Sequence, residues 1–128
     1  MTSYDFSRAS DFFKDRIAFT TGPHELKVLV EGNTDPATYQ VVDVRYPADF
    51  AAGHVPGAVN LPNGRWRNPR GLDKNATLYL YCYNPTCHMA AAAAVELVAQ
   101  GYRVVEVEGG WDTWVANGYR IERLAESA

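Results

Sequence analysis

The sequence contains little cysteine, no long hydrophobic run and no excess of positive charge. Its two cysteines among 128 residues, Cys82 and Cys87, are too few for the disulfide framework of a small secreted domain. The longest uncharged stretch of small apolar residues, 89–95, is far too short to span a membrane. No secretory signal pattern is visible at the N-terminus. We therefore expect a cytoplasmic protein with reduced thiols and no membrane partner.

The charge balance argues against nucleic-acid binding. The 12 Lys+Arg residues stand against 15 Asp+Glu residues, which gives a formal net charge of −3, so no basic field is available to hold phosphates. Hydrophobic residues make up 47% and charged residues 21% of the chain, as in soluble globular proteins rather than disordered ones. The length fits a single domain over residues 1–128.

Strand-like and helix-like segments alternate along the chain. The predicted strands are 19–21, 39–44, 58–61, 77–81 and 104–107, and the predicted helices are 7–18, 47–52, 88–100 and 111–117. Ser7 or Ser10 is the expected N-cap of the first helix. Segment 24–31 fits a strand by alternation and a helix by Pro23 and its apolar spacing. The alternation predicts an α/β fold with a parallel sheet and helices on both faces.

Cys82 is the most informative candidate for chemistry. It directly follows the predicted strand 77–81 and precedes a helix. Sites in parallel α/β sheets form outside the carboxyl ends of the strands, where backbone amides and a helix N-terminus lower a thiol's pKa. The active-site loop would then consist of Tyr83, Asn84, Pro85, Thr86, Cys87 and His88, curled around the sulfur with its amides inward. Alternatively, Cys82 is a buried residue that only closes an apolar strand.

Three blocks of the sequence resemble a rhodanese domain, a sulfurtransferase module. The first is VVDVRYPADF at 41–50, which runs into GHVPGAVNLP at 53–62. The second is the strand 78–82 that ends in the cysteine, and the third joins GY at 101–102 to GGWDTWVANGY at 109–119. The resemblance covers residues 19–121 and leaves 1–18 as an N-terminal helical extension. It implies a three-layer rhodanese-like fold with a five-stranded, mostly parallel sheet, and it makes 24–31 a helix.

The resemblance also implies a sulfurtransferase with Cys82 as its catalytic cysteine. The thiolate would take sulfur from a small donor such as thiosulfate, form a persulfide, and pass the sulfur to cyanide, a thiol or a thioredoxin-like protein acceptor. This chemistry requires no cofactor. The sequence departs from the family at two points. Pro85 stands where active members have glycine and removes an amide from the loop, and the loop ends in Cys87 and His88 where the family often has arginine. These departures leave the donor open.

Cys87 and His88 each have a functional and a simpler interpretation. Cys87 either resolves a persulfide or sulfenic acid on Cys82, giving a reversible disulfide, or is a small residue at a helix start. His88 either places positive charge beside the thiolate or caps the first turn. A zinc site built from these residues would lack the second ligand pair usual in structural zinc sites, so we predict no metal.

The remaining polar candidates surround the predicted site. Arg65 and Arg67, on either side of Trp66, would bind an anionic donor if their loop reaches the cysteine, and otherwise form a solvated loop anchored by the tryptophan. Asp43, Arg45 and His54 belong to the family motifs and are expected to be structural.

Two alternatives compete with the sulfurtransferase. One is a sulfur carrier, redox sensor or partner-binding module without fast turnover, which Pro85 and the missing arginine favour. The other is a phosphatase or arsenate reductase on the same fold. A phosphatase needs the bidentate grip of an arginine six residues after the cysteine, and His88 occupies that position.

Overall fold

The computed structural model describes residues 3–124, in which helices and strands alternate except that the third strand is followed directly by the fourth. The strands are β1 (Thr20–Thr21), β2 (Tyr39–Asp43), β3 (Val59–Asn60), β4 (Thr77–Tyr81) and β5 (Arg103–Val107). The α-helices are α1 (Phe6–Phe19), α2 (Pro23–Glu31), α3 (Pro47–Ala52), α4 (Met89–Ala99) and α5 (Gly110–Ala116), and a 3-10 turn spans Pro36–Thr38.

The strands form one sheet in the order β1-β5-β4-β2-β3. Each pair of neighbours is parallel, so the predicted five-stranded α/β sheet is confirmed. The central strand β4 (TLYLY) is largely apolar and aromatic, which is typical of a parallel strand that is covered on both faces. β4 lies in the middle of the sheet, and its carboxyl end therefore lies near the centre of the domain.

Two apolar clusters cover the two faces of the sheet. One joins α4 to the sheet through Leu78, Leu80, Cys82, Ala93 and Leu97. The other joins α2, α3 and α5 to the opposite face through Leu26, Val41, Phe50, Tyr81 and Trp114. Successive residues of β4 therefore point to opposite sides, and Cys82 belongs to the face that α4 covers.

The first two helices resolve one ambiguity and correct one expectation. Segment 24–31 lies in α2, which begins at Pro23. The N-cap of α1 is Asp5, whose carboxylate accepts a hydrogen bond from the Arg8 amide at 3.0 Å. The expectation of Ser7 or Ser10 as N-cap is wrong, because capping by Asp5 starts the helix earlier and places both serines inside it.

Helix α1 differs from the others because none of its residues is buried. It is held beside β5 by an exposed ion pair between Arg16 and Glu108 at 3.2 Å, and it extends one residue further than predicted, to Phe19. Among the described residues, no helix combines the length and the apolar character needed to cross a membrane.

Candidate active site

Cys82 follows the last residue of β4 and is only 3% exposed. The neighbouring strand runs alongside it, since the Val44 amide donates to the Tyr81 carbonyl at 3.1 Å. The cysteine therefore occupies the position predicted for it, at the carboxyl end of the central strand. Strand pairing on both sides of β4 fixes the backbone up to this point, and the loop 83–88 determines what surrounds the sulfur.

A tight turn organises the loop after Cys82. The Cys87 amide donates to the Asn84 carbonyl at 3.1 Å, which closes a four-residue turn with Pro85 in its second position, where proline is favoured. The Asn84 side-chain oxygen also accepts from the amide of Thr86 at 3.1 Å and from its hydroxyl at 2.9 Å. Asparagine commonly stabilises turns through such side-chain contacts.

The turn returns the chain so that Cys87 meets Cys82. Their Cα atoms lie 6.4 Å apart and their sulfurs form a disulfide. This separation is within the range in which a disulfide forms without backbone movement. The structure therefore brings together both cysteines that the sequence singled out.

The inward-facing cradle of loop amides is not formed over residues 85–87. Pro85 has no amide proton, and the amides of Thr86 and Cys87 both donate to Asn84. Sequence analysis identified the loss at Pro85 but not the use of the next two amides, because that use depends on the turn, in which the Asn84 side chain and backbone carbonyl each accept one hydrogen bond. An anion at the sulfur would find no free amide in this stretch.

Two contacts outside the loop hold its first residues in place. The amides of Trp111 and Asp112, in the first turn of α5, donate to the carbonyls of Cys82 and Tyr83, each at 2.8 Å. A Cβ atom added at Gly110 would lie 2.8–2.9 Å from backbone atoms of residues 82–84. Gly110 thus permits the close approach of two backbones, a role that the motif GGW did not reveal by itself.

Tyr83 anchors the other side of the loop and was missed as a contact by sequence reasoning. Its hydroxyl donates to the Asp49 carboxylate and accepts from the Tyr46 amide at 3.1 Å. Partial burial and then the bond to Asp49 raise the pKa of Tyr83, so the phenol stays protonated and keeps donating. The loop is therefore tied to α3 as well as to α5.

An open cavity of about 690 Å³ lies beside the two cysteines. Its walls come from the loop, from the first turns of α4 and from the end of β5. Among the described residues that line it there are two glutamates, Glu106 and Glu108, and one histidine, His88, but no lysine or arginine. Burial and then the charge of Glu108 raise the pKa of Glu106, and His88 opposes them. His88 stands at the N-cap of α4 without a side-chain capping bond, so its imidazole remains available to the cavity.

The structure does not bring Arg65 or Arg67 to this cavity. Arg67 is largely exposed and forms an ion pair with Glu96 at 3.4 Å, beside a separate depression next to Trp66. The indole of Trp66 is buried and donates to the Leu61 carbonyl at 2.9 Å. These contacts favour the simpler interpretation, a solvated loop anchored by its tryptophan.

The three motif residues expected to be structural have structural contacts. The Arg45 guanidinium donates to the Asp43 carboxylate at 2.7 Å and to the Gly53 carbonyl at 2.6 Å. Nδ1 of His54 lies 2.7 Å from the Phe50 carbonyl oxygen, and its ring stacks on Phe50. The three residues hold β2, α3 and the following turn together.

The site is thus a nearly buried cysteine at the end of the central strand of a five-stranded parallel α/β sheet. The family model of the Rhodanese-like domain matches residues 23–117. Thiosulfate sulfurtransferase GlpE of Pseudomonas putida is 41% identical over 78 residues, which cover 59% of this chain and 69% of that protein. GlpE of Pseudomonas entomophila is 38% identical over 76 residues, 58% and 68% of the two chains.

Solved structures show the same architecture. A Bacillus halodurans protein has a TM-score of 0.84 at 24% identity, covering 93% of this chain and 87% of its own. A rhodanese-like domain protein from Staphylococcus aureus has a TM-score of 0.67 at 30% identity, with coverage of 84% and 99%. The chain belongs to the rhodanese-like domain family, which confirms the resemblance found in the sequence.

Proposed function

We propose that the chain is an enzyme that transfers sulfane sulfur from a donor such as thiosulfate to a thiol or cyanide acceptor, through a persulfide on Cys82. The observation that carries the proposal is the position of Cys82, at the carboxyl end of the central strand and on the wall of an open cavity. Membership of the rhodanese-like family and similarity to proteins named thiosulfate sulfurtransferase support it.

The proposed reaction needs both cysteines reduced at the start. The Cys82 thiolate attacks the outer sulfur of thiosulfate, the sulfur–sulfur bond of the donor breaks, and sulfite leaves. A thiolate or cyanide then attacks the outer sulfur of the persulfide, and Cys82 leaves as a thiolate. Two displacements at one residue predict ping-pong kinetics. A thioredoxin-like protein dithiol is a suitable acceptor because its thiolate is also a sulfur nucleophile.

The replacement Cys82→Ser should abolish sulfur uptake, because a serine hydroxyl is a far weaker nucleophile than a thiolate. We would incubate the reduced protein briefly with thiosulfate and measure its intact mass. A gain of one sulfur atom in the wild type and none in Cys82→Ser is expected. An equal gain in both proteins would contradict the assignment.

A sulfur carrier or redox sensor is the main alternative, and turnover separates it from an enzyme. A carrier would gain one sulfur and then release it to cyanide or a thiol too slowly for repeated cycles. The phosphatase alternative gains no support, because no arginine or lysine is found among the described residues that line the cavity.

The replacement Glu106→Gln should improve the use of thiosulfate, since a carboxylate in the cavity repels a dianion. Removal of one negative charge from the wall of the cavity is expected to raise kcat/KM for thiosulfate by about threefold to tenfold at low salt. The gain should shrink as the pH falls, because the raised pKa of Glu106 lets the wild type lose that charge by protonation.

The matched control for this charge effect is Glu96→Gln. Glu96 pairs with Arg67 beside a different depression, and its replacement changes the net charge equally. Equal gains in both variants would show that net charge, rather than the charge inside the cavity, limits thiosulfate use.

A further inference from the structure

We propose that Cys87 is a resolving thiol that diverts the Cys82 persulfide into release of hydrosulfide, so that the chain has a dithiol-dependent sulfide-releasing activity. This inference rests on the proposed persulfide at Cys82. The reactive loop has two thiols rather than one, and its conformation is the one that joins them.

The residues between the two cysteines form a turn that brings the two sulfurs together. Asn84 accepts hydrogen bonds from Thr86 and Cys87 on its side chain and carbonyl respectively, and Pro85 supplies the fixed φ that the turn requires. Because the turn already brings Cys87 to Cys82, attack by the Cys87 thiolate on the Cys82 sulfur costs little conformational entropy. The effective concentration of the Cys87 thiolate at that sulfur is therefore high.

The same turn weakens the support for a long-lived persulfide anion. The amides of Thr86 and Cys87 are engaged within the loop and Pro85 has none, and the cavity-lining residues that the structure describes include Glu106 and Glu108 but no lysine or arginine. A persulfide anion therefore finds no free amide over residues 85–87 and no guanidinium or ammonium group on the described wall of the cavity, which are the donors that would hold it most strongly. Weak stabilisation of the persulfide anion and the proximity of the second thiol favour the same outcome, which is rapid attack of Cys87 on the Cys82 persulfide.

The chemistry balances within the chain and one external dithiol. The Cys87 thiolate attacks Sγ of Cys82, the bond between Sγ and the outer sulfur breaks, and the outer sulfur leaves with the electron pair as hydrosulfide. The two cysteine sulfurs are oxidised to a disulfide while the sulfane sulfur is reduced. A dithiol then reduces the Cys82–Cys87 disulfide through a mixed disulfide and becomes a disulfide itself.

Access predicts which sulfur the reductant attacks. Both cysteines line the open cavity, but Cys82 is nearly buried whereas Cys87 is half-buried. Attack at Cys87 puts the mixed disulfide on that residue and releases Cys82 as the thiolate, ready for the next donor. Resolution and reduction therefore return the same nucleophile.

The test compares the wild type with Cys87→Ser, without oxygen or free reductant. Each reduced protein receives thiosulfate or, in a parallel sample, glutathione persulfide, and we measure hydrosulfide and intact mass over time. The wild type should release one hydrosulfide per chain and end two hydrogens lighter than the reduced protein. Cys87→Ser should hold one extra sulfur and release at least about tenfold less hydrosulfide until a thiol is added.

The outcomes separate this inference from the proposed function. A wild type that keeps its persulfide as long as Cys87→Ser does would overturn the resolving role while leaving sulfur uptake intact. If Cys87→Ser gains no sulfur from either donor, the persulfide at Cys82 is itself rejected. Cys82→Ser is the matched control, because it keeps Cys87 and removes the nucleophile.

Asn84 tests the positioning by the turn. Asn84→Ala removes the side-chain acceptor for Thr86 and should slow hydrosulfide release about tenfold relative to sulfur loading in the same sample. Asn84→Asp keeps a side-chain oxygen at this place in the turn and should restore most of the rate. Release that is equally fast in all three proteins would show that the turn does not position Cys87.

Discussion

Replacement of Arg45 with methionine is expected to lower the free energy of unfolding by about 3–5 kcal/mol, the usual cost of breaking a buried ion pair on one side. Asp43 is 0% exposed and Arg45 is 2% exposed, so the remaining carboxylate has no access to water. The guanidinium makes contacts of 2.7–3.1 Å with both carboxylate oxygens. Methionine fills part of the volume of Arg45 but supplies none of these donors.

Neighbouring groups do not compensate for the loss of Arg45. Tyr81 donates to Asp43 at 2.7 Å, but it is neutral. Burial, together with the Asp43 charge, raises the pKa of this phenol well above its ordinary value. The Gly53 carbonyl would also lose its partner, the guanidinium at 2.6 Å. The variant therefore leaves a buried carboxylate without a charged partner and the Gly53 carbonyl without its guanidinium donor, and each carries a desolvation cost.

Urea unfolding at neutral pH measures this effect, and two further variants identify its cause. The double replacement Asp43→Leu with Arg45→Met removes both charges and should regain a large part of the stability, because apolar substitutes for a buried pair are tolerated. Arg67→Met breaks an exposed pair with Glu96 and should change stability by no more than about 1 kcal/mol. A loss in Arg45→Met as small as that in Arg67→Met would contradict the buried-pair account.

The elements that sequence analysis predicted best are those whose local pattern and tertiary environment agree. The strand 77–81 was predicted with its observed bounds because TLYLY joins a β-branched residue and two aromatic residues to two leucines, as suits a strand covered on both faces. Segment 24–31 was ambiguous, since its apolar residues fit two periods over only a few turns. Packing of Leu26 into the core stabilises the helix. Only the resemblance to the family predicted this helix.

The part of the site that follows from the order of strands and loops along the chain could be predicted. A cysteine directly after a strand has to lie at the sheet's carboxyl edge, so Cys82 was placed from sequence alone. Pro85 was interpreted as a lost amide and as a departure from the family's glycine, although asparagine followed by proline also signals a turn. The burial of Arg45 could not be predicted from the sequence, because its partners come from distant positions. They include the Gly53 carbonyl, eight residues away, and the ring of Trp111, over which the guanidinium lies.

The replacement Gly110→Ala is expected to disable the loop and to destabilise the domain. Gly110 has a φ of +65°, a conformation that costs an ordinary residue about 1–2 kcal/mol. An added Cβ would also meet the Asn84 amide nitrogen and the Cys82 carbonyl oxygen at 2.8 Å. These are backbone atoms of the reactive loop that cannot rotate away. We expect a total loss of about 2–4 kcal/mol and sulfur uptake slower by about tenfold to a hundredfold.

Gly118→Ala is the matched control, because it separates backbone strain from the steric contact. Gly118 has a φ of +72°, but a Cβ added there meets nothing within 4 Å. This variant should lose only the cost of the conformation, about 1–2 kcal/mol, and should take up sulfur at the wild-type rate. Urea unfolding and the rate of mass gain with thiosulfate measure the two effects separately. Of these two glycines only Gly110 approaches residues 82–84, so equal behaviour of the two variants would mean that the close contact between α5 and the loop does not hold Cys82 in place.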